Sequence, residues 1–176
     1  MAQTCCASLP VNDRAPVCSN DSKWLYYIDA AENHFLKRVP IVGGPPETII
    51  KSPAEPYDLA PDGKTVASFE AREADHTVIL ALYSLEGGKK LSFEFDQRAL
   101  PGLAFMPSGK AVAYVVREKG VDNLWIQPLD GSAQRQLTHF TSERIAGYAF
   151  SKDGVHLGIN RGHADSDAVL LRNAVH

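Results

Sequence analysis

Four turns of one kind, each followed by an apolar run, recur along the chain at near-constant spacing. They are Asp21-Ser22-Lys23, Asp62-Gly63-Lys64, Ser108-Gly109-Lys110 and Asp153-Gly154-Val155, and their first residues stand 41, 46 and 45 positions apart. A self-similarity of roughly 40–50 residues marks a solenoid, a propeller or an array, in which each unit buries its faces only against its neighbours. No single residue constrains the fold as much.

Registering the four turns brings further positions into line. Three residues before each turn stand Cys18, Leu59, Phe105 and Phe150, and four residues after it stand Leu25, Val66, Val112 and Leu157. All eight are apolar. The next column holds Tyr26, Ala67, Ala113 and Gly158, mostly small. A strand, a tight turn and a second strand explain this pattern, because Asp and Gly accept the positive φ that hairpin turns require. Further on, Leu36, Leu80 and Leu124 recur, with Val169 in the same place, and Gly43, Gly87 and Gly131 follow the first three. These mark a third strand and its closing turn. Ile49-Ile50, Leu91-Ser92-Phe93 and Gln136-Leu137-Thr138 supply a fourth, weaker strand.

Four short strands per repeat, with no helical periodicity, predict an all-β fold: a β-propeller of about four four-stranded blades. Residues 16–176 hold the four blades, the last incomplete, and residues 1–15 form an N-terminal segment. Two endings stay open. The segment from Gln3 to Leu9 could supply the missing outer strand and close a small ring, or the blades could be a fragment of a larger propeller. Open edge strands would then favour self-association.

Composition narrows the class of partner. The chain of 176 residues is 44% hydrophobic and 22% charged, the balance of an ordinary globular protein. A net charge of −3 leaves no basic footprint for nucleic acid. No apolar run reaches the ~18 residues of a membrane helix, and the N-terminus has no signal-peptide pattern. Cytoplasm is the default expectation, which lapses if the chain belongs to a larger membrane-bound protein. Cys5, Cys6 and Cys18 have no zinc-site spacing and are expected as free thiols.

Catalytic signatures are missing. The sequence has no G-x-S-x-G elbow, phosphate loop, H-E-x-x-H or kinase catalytic loop, so no catalytic residue and no cofactor is expected. Gly154-Val155-His156-Leu157-Gly158 has the elbow spacing, but with His at its centre and on a predicted strand. If extended, His163, Asp165 and Asp167 would share one face and could hold a divalent cation. A hydrated loop is the favoured reading there, since Asp167 precedes Val169 as Asp122 precedes Leu124. Two charged loops are the candidate partner-binding positions: Arg72, Glu73 and Asp75 in one blade, Arg117 and Lys119 in the next. Hydrated hairpin tips are the competing and commoner explanation. Trp24 and Trp125 adjoin aligned apolar columns and are expected to pack between blades.

Asp122-Asn123-Leu124-Trp125-Ile126-Gln127-Pro128-Leu129-Asp130-Gly131, followed by Arg135-Gln136-Leu137-Thr138, resembles the WD40-like repeat (PD40) of TolB-type propellers. So does the stretch from Pro16 to Tyr27, and the likeness runs from about Pro16 to Arg172. It is nearest to the C-terminal propellers of bacterial serine/threonine protein kinases and winged-helix regulators, an impression carried by Phe140-Thr141-Ser142-Glu143-Arg144-Ile145 and Phe150-Ser151-Lys152-Asp153-Gly154. Turns in that family usually read Pro-Asp-Gly, whereas three here have drifted. The resemblance implies a non-catalytic module that binds protein or peptide partners. Its alternative is a truncated regulatory or sensor domain of a bacterial signalling protein. The kinase or DNA-binding portion has no counterpart here, so its activity transfers to no residue.

Overall fold

The computed structural model describes residues 14–51, 56–71, 77–86, 88–95 and 99–163. Each repeat folds as an antiparallel meander in sequence order. The first sheet holds β1 (Arg14–Cys18), β2 (Trp24–Asp29), β3 (Phe35–Pro40) and β4 (Glu47–Ile50). The second holds β5 (Tyr57–Leu59), β6 (Thr65–Ala71), β7 (Val78–Ser84) and β8 (Lys89–Phe95). The third holds β9 (Ala99–Phe105), β10 (Ala111–Glu118), β11 (Val121–Pro128) and β12 (Arg135–Gln136). In the fourth, the described strands are β13 (Arg144–Phe150) and β14 (Leu157–Gly162). Among the described residues there is no helix, hence none long and apolar enough to cross a membrane. The segment from Gln3 to Leu9, offered above as one possible closing strand, lies outside the described residues.

The aligned apolar columns prove to be cross-strand partners. Cys18 faces Leu25, Leu59 faces Val66, Phe105 faces Val112 and Phe150 faces Leu157. Between each pair the turn closes in the same way. The amides of Ser22, Gly63, Gly109 and Gly154 donate to the carbonyls of Ser19, Ala60, Met106 and Ser151 at 2.8–2.9 Å. The Asp21, Asp62 and Asp153 carboxylates and the Ser108 hydroxyl accept from the amide two residues on, at 3.1, 2.8, 3.0 and 3.3 Å. Asp and Ser occupy this position because a short oxygen-bearing side chain can satisfy its own turn.

The residue after it takes positive φ in every repeat: 58° at Ser22, 67° at Gly63 and Gly109, and 72° at Gly154. Only the first repeat carries a Cβ there, which an L-residue tolerates poorly. Replacing Ser22 by Gly is expected to stabilise the fold by about 0.5–1 kcal/mol, the relief of strain less the added unfolded-state entropy. A rise in the urea midpoint would register it. A fall would mean that contacts of the serine side chain outweigh the strain.

Packing between sheets supplies the core. Tyr26, Ile28, Leu36 and Ile50 of the first sheet meet Tyr57 and Val66 of the second. Between the second and third sheets, Phe69 and Phe95 close on Tyr114. Phe95 stacks on Tyr114 with centroids 4.5 Å apart, and Phe69 stands edge-on to both at 5.7 and 6.2 Å. Such pairs add to the stabilisation from burying the rings. Leu36, Leu80 and Leu124, aligned above, are each fully buried. Trp24 packs beside the first cluster and Trp125 beside the second, as expected of them.

One expectation is corrected. Cys18, anticipated as a free thiol, is disulfide-bonded. The residue sits in the turn-proximal column of β1 opposite Leu25, and sequence spacing carries no information on which thiols the fold brings within bonding reach.

Candidate functional site: an axial cleft among the innermost strands

The first strands of successive sheets converge. Strand β9 touches both β5 and β13, so these strands line the axis and the later strands of each sheet lie outward. Near their turn ends they enclose a cleft of about 660 Å³. The first sheet contributes Asn20 and the second Asp58, Leu59 and Pro61. The third gives Ala104, Phe105 and Pro107, and the fourth gives Tyr148 to Lys152. Its walls are mainly apolar, with a few convergent polar groups, as in most binding clefts.

Side-chain bonds across blades fix this geometry. Asn20 donates through Nδ2 to the Pro61 carbonyl at 3.0 Å, tying the first turn to the second. Asp58 accepts the Phe105 amide at 2.7 Å, tying β5 to β9. The Tyr148 hydroxyl lies 2.8 Å from the carbonyls of both Gly102 and Ala113, which ties β13 to the third sheet. Gly102 takes φ of 134°, and a Cβ there would stand 3.1 Å from Val115. Only glycine lets β9 bring its carbonyl to the tyrosine at that point.

Below the cleft, Asp122 performs the same service for the last sheet. Its carboxylate is fully buried, takes two bonds from Arg117 at 2.7 and 2.9 Å, and accepts the Ile145 amide at 3.0 Å. Burial alone would push this carboxyl up, but the Arg117 guanidinium and the Ile145 amide outweigh it and hold it below the ordinary aspartate value. Asn123 adds bonds to Phe140 and Thr138.

Asp58 has the opposite balance. Burial pushes its carboxyl above the ordinary aspartate range despite the bonds from the Phe105 and Leu59 amides. Among the described residues no cation pairs with it. Burial, and then the nearby Asp58 charge, also raise the Tyr148 hydroxyl. Among the described residues Lys152 is the one basic residue lining the cleft, and it is exposed.

A second groove, about 500 Å³, runs between the first two sheets and shares Asn20 with the cleft. Trp24 lies in it with the Arg38 guanidinium 4.1 Å from its ring centroid, and Arg38 is held in turn by Glu47 at 2.7 Å.

Of the candidate residues named from sequence, those that are described do not line the cleft. Arg117 is engaged by Asp122, whereas Lys119 and Gly120 form the exposed two-residue turn joining β10 to β11, both with positive φ. Arg72, Glu73 and Asp75 lie outside the described residues, as do Asp165 and Asp167. His163 is exposed, with Nε2 3.5 Å from Glu143 Oε1. Among the described residues no three His, Cys, Asp or Glu side chains gather as a metal site. Sequence reading passed over Asp58, Tyr148 and Asp122. One signal was available for the first: the residue before the aligned apolar column reads Val17, Asp58, Ala104 and Ala149, so a single blade places a charge there.

A scan against protein-family models gives no match, and a search of curated proteins gives none. Solved structures do match. TolB from Acinetobacter baumannii superposes with a TM-score of 0.66 at 16% identity, over 84% of this chain and 37% of that one. A chain of a nidogen/laminin complex gives 0.60 at 19% identity, over 81% of this chain and 54% of that one. A prolyl endopeptidase gives 0.59 at 16%, over 85% and 26%. At such identities the likeness concerns the fold alone, and with the sheet order above it defines the class: a β-propeller fold. The chain spans a little over a third of the TolB structure that it resembles and about half of the nidogen/laminin chain.

Proposed function

We propose that the chain is a non-catalytic β-propeller module that binds a protein or peptide partner in the axial cleft. The observation carrying this reading is the cleft itself: about 660 Å³, apolar-walled, framed by turns of all four blades and held open by hydrogen bonds between them. Such a surface is preorganised, so a partner that enters it loses little to ordering the receptor. The TolB structure and the nidogen/laminin complex support the fold on which the reading stands.

Panning a random peptide library against the chain tests it. Selected peptides are expected to lose at least about tenfold in affinity against an Ala149→Trp variant, whose indole would fill the cleft from an exposed position. Thermal unfolding would confirm that this variant stays folded. Peptides that bind both forms equally, or no selectable peptide, would refute the cleft as the binding surface.

Partial coverage of the larger propellers favours a second reading, in which these blades belong to a longer regulatory protein. The resemblance noted above suggests a bacterial kinase or winged-helix regulator. Under either reading, the bonded Cys18 removes one support for a reducing cytoplasm and fits an oxidising compartment better.

A further inference from the structure

We infer that Asp58 is the anchor for a basic side chain, a lysine ammonium or an arginine guanidinium, carried into the axial cleft by an extended peptide. The inference rests on the proposed binding role of the cleft and names the chemistry that the cleft selects.

Three observations carry it. First, Asp58 is the single charged residue in its column on the four innermost strands; Val17, Ala104 and Ala149 occupy the equivalent places. An apolar residue would serve packing equally well there, and three blades use one. Second, the carboxylate is half-buried at the wall of a roomy cleft, yet its partners among the described residues are backbone amides, not a cation. A carboxylate held only by backbone amides among the described residues keeps spare lone pairs, because each oxygen can accept more than one bond. Third, the lining next to it is apolar, namely Leu59, Ala104, Phe105 and Phe150. A lysine or arginine packs its methylene stem on such a wall while its head reaches an acidic group beyond it. The low local dielectric then makes the charge-assisted bond stronger than it would be on an open surface.

The Phe105 amide is a built-in reporter, since it donates to Asp58 at 2.7 Å. The test uses the full chain labelled with ¹⁵N and two blocked tripeptides, acetyl-Gly-Arg-Gly-amide and its citrulline counterpart, which keeps the shape and drops the charge. The arginine peptide is expected to shift the Phe105 amide resonance saturably, and the citrulline peptide to bind at least about tenfold more weakly. An Asp58→Asn variant, whose side-chain oxygen can still accept the Phe105 amide, is expected to lose about tenfold for the arginine peptide and little for citrulline. The citrulline comparison is made on the unaltered protein, so it stands even if the variant folds poorly. Equal binding of the two peptides, no shift at Phe105, or undiminished affinity in Asp58→Asn would overturn the inference. If library-selected peptides still depend on the open cleft while the arginine peptide fails, the anchor is wrong and the module reading survives.

Discussion

Truncating Tyr114 to Ala is expected to cost the fold about 3–5 kcal/mol, the range found when large aromatic side chains are removed from well-packed cores. Tyr114 is 1% exposed. Its ring stacks on Phe95 and meets the edge of Phe69, and so joins the third sheet to the second. Among the described residues few backbone hydrogen bonds run between neighbouring blades, so this packing, together with side-chain bonds such as that from Phe105 to Asp58, sets how the two sheets meet. Tyr114→Phe separates ring from hydroxyl. It keeps the stacking and loses the bond to Gln134, a change of about 0.5–1.5 kcal/mol. Urea denaturation of the two variants measures both figures. A cost below about 1 kcal/mol for Tyr114→Ala would mean that the blades cohere by other contacts.

Asp122→Ala is expected to cost about 2–3 kcal/mol. A wholly buried acceptor would be removed, and the Ile145 amide and the Arg117 guanidinium would be left without it. The figure lies below that for a fully buried ion pair because the Arg117 side chain is 36% exposed and can turn to water. The pH dependence has a definite sign. The Asp122 carboxyl is held below its ordinary value of 3.8 in the folded state. Its stabilisation is therefore complete above pH 3.8 and is lost as pH falls through the folded value. Wild type and Asp122→Asn should accordingly converge in stability in that acid window. Asp58 runs the other way. Its folded value is raised above 3.8, so its contribution is greatest below pH 3.8 and declines as pH rises through the folded value. Asp58→Asn should lack that decline. Denaturation midpoints across the acid range would separate the two carboxylates, and curves of the same shape for both variants would contradict the assignment.

These two aspartates mark where sequence reading stopped. The turns were legible because each is closed by residues within a few positions of one another: Asp21 satisfies Lys23, and Asp153 satisfies Val155. Pairing across such a turn is forced by the period of the strand, so Phe105 opposite Val112 could be read directly. The bond from Phe105 to Asp58 spans 47 residues, and that from Ile145 to Asp122 spans 23. A partner at that distance leaves no periodic trace, only an unexplained charge in an otherwise apolar setting. Arg117 shows the reverse error of emphasis. As a charged residue beside a hairpin tip it read as a surface contact, whereas it stands directly opposite Asp122 across the β10–β11 hairpin and is engaged by that carboxylate.

The sequence by itself determined the repeat, its turns, the strand count of three blades and the residues buried at each third strand. Local chemistry specifies these: turn residues with positive φ, and apolar side chains at the period of a strand. The tertiary structure alone decided which strands line the axis, that a cleft opens between their turn ends, that a carboxylate with no cation partner among the described residues stands in its wall, and that Cys18 is bonded. The first three depend on how whole sheets lie against one another, and that arrangement follows from packing between blades that are distant in the chain.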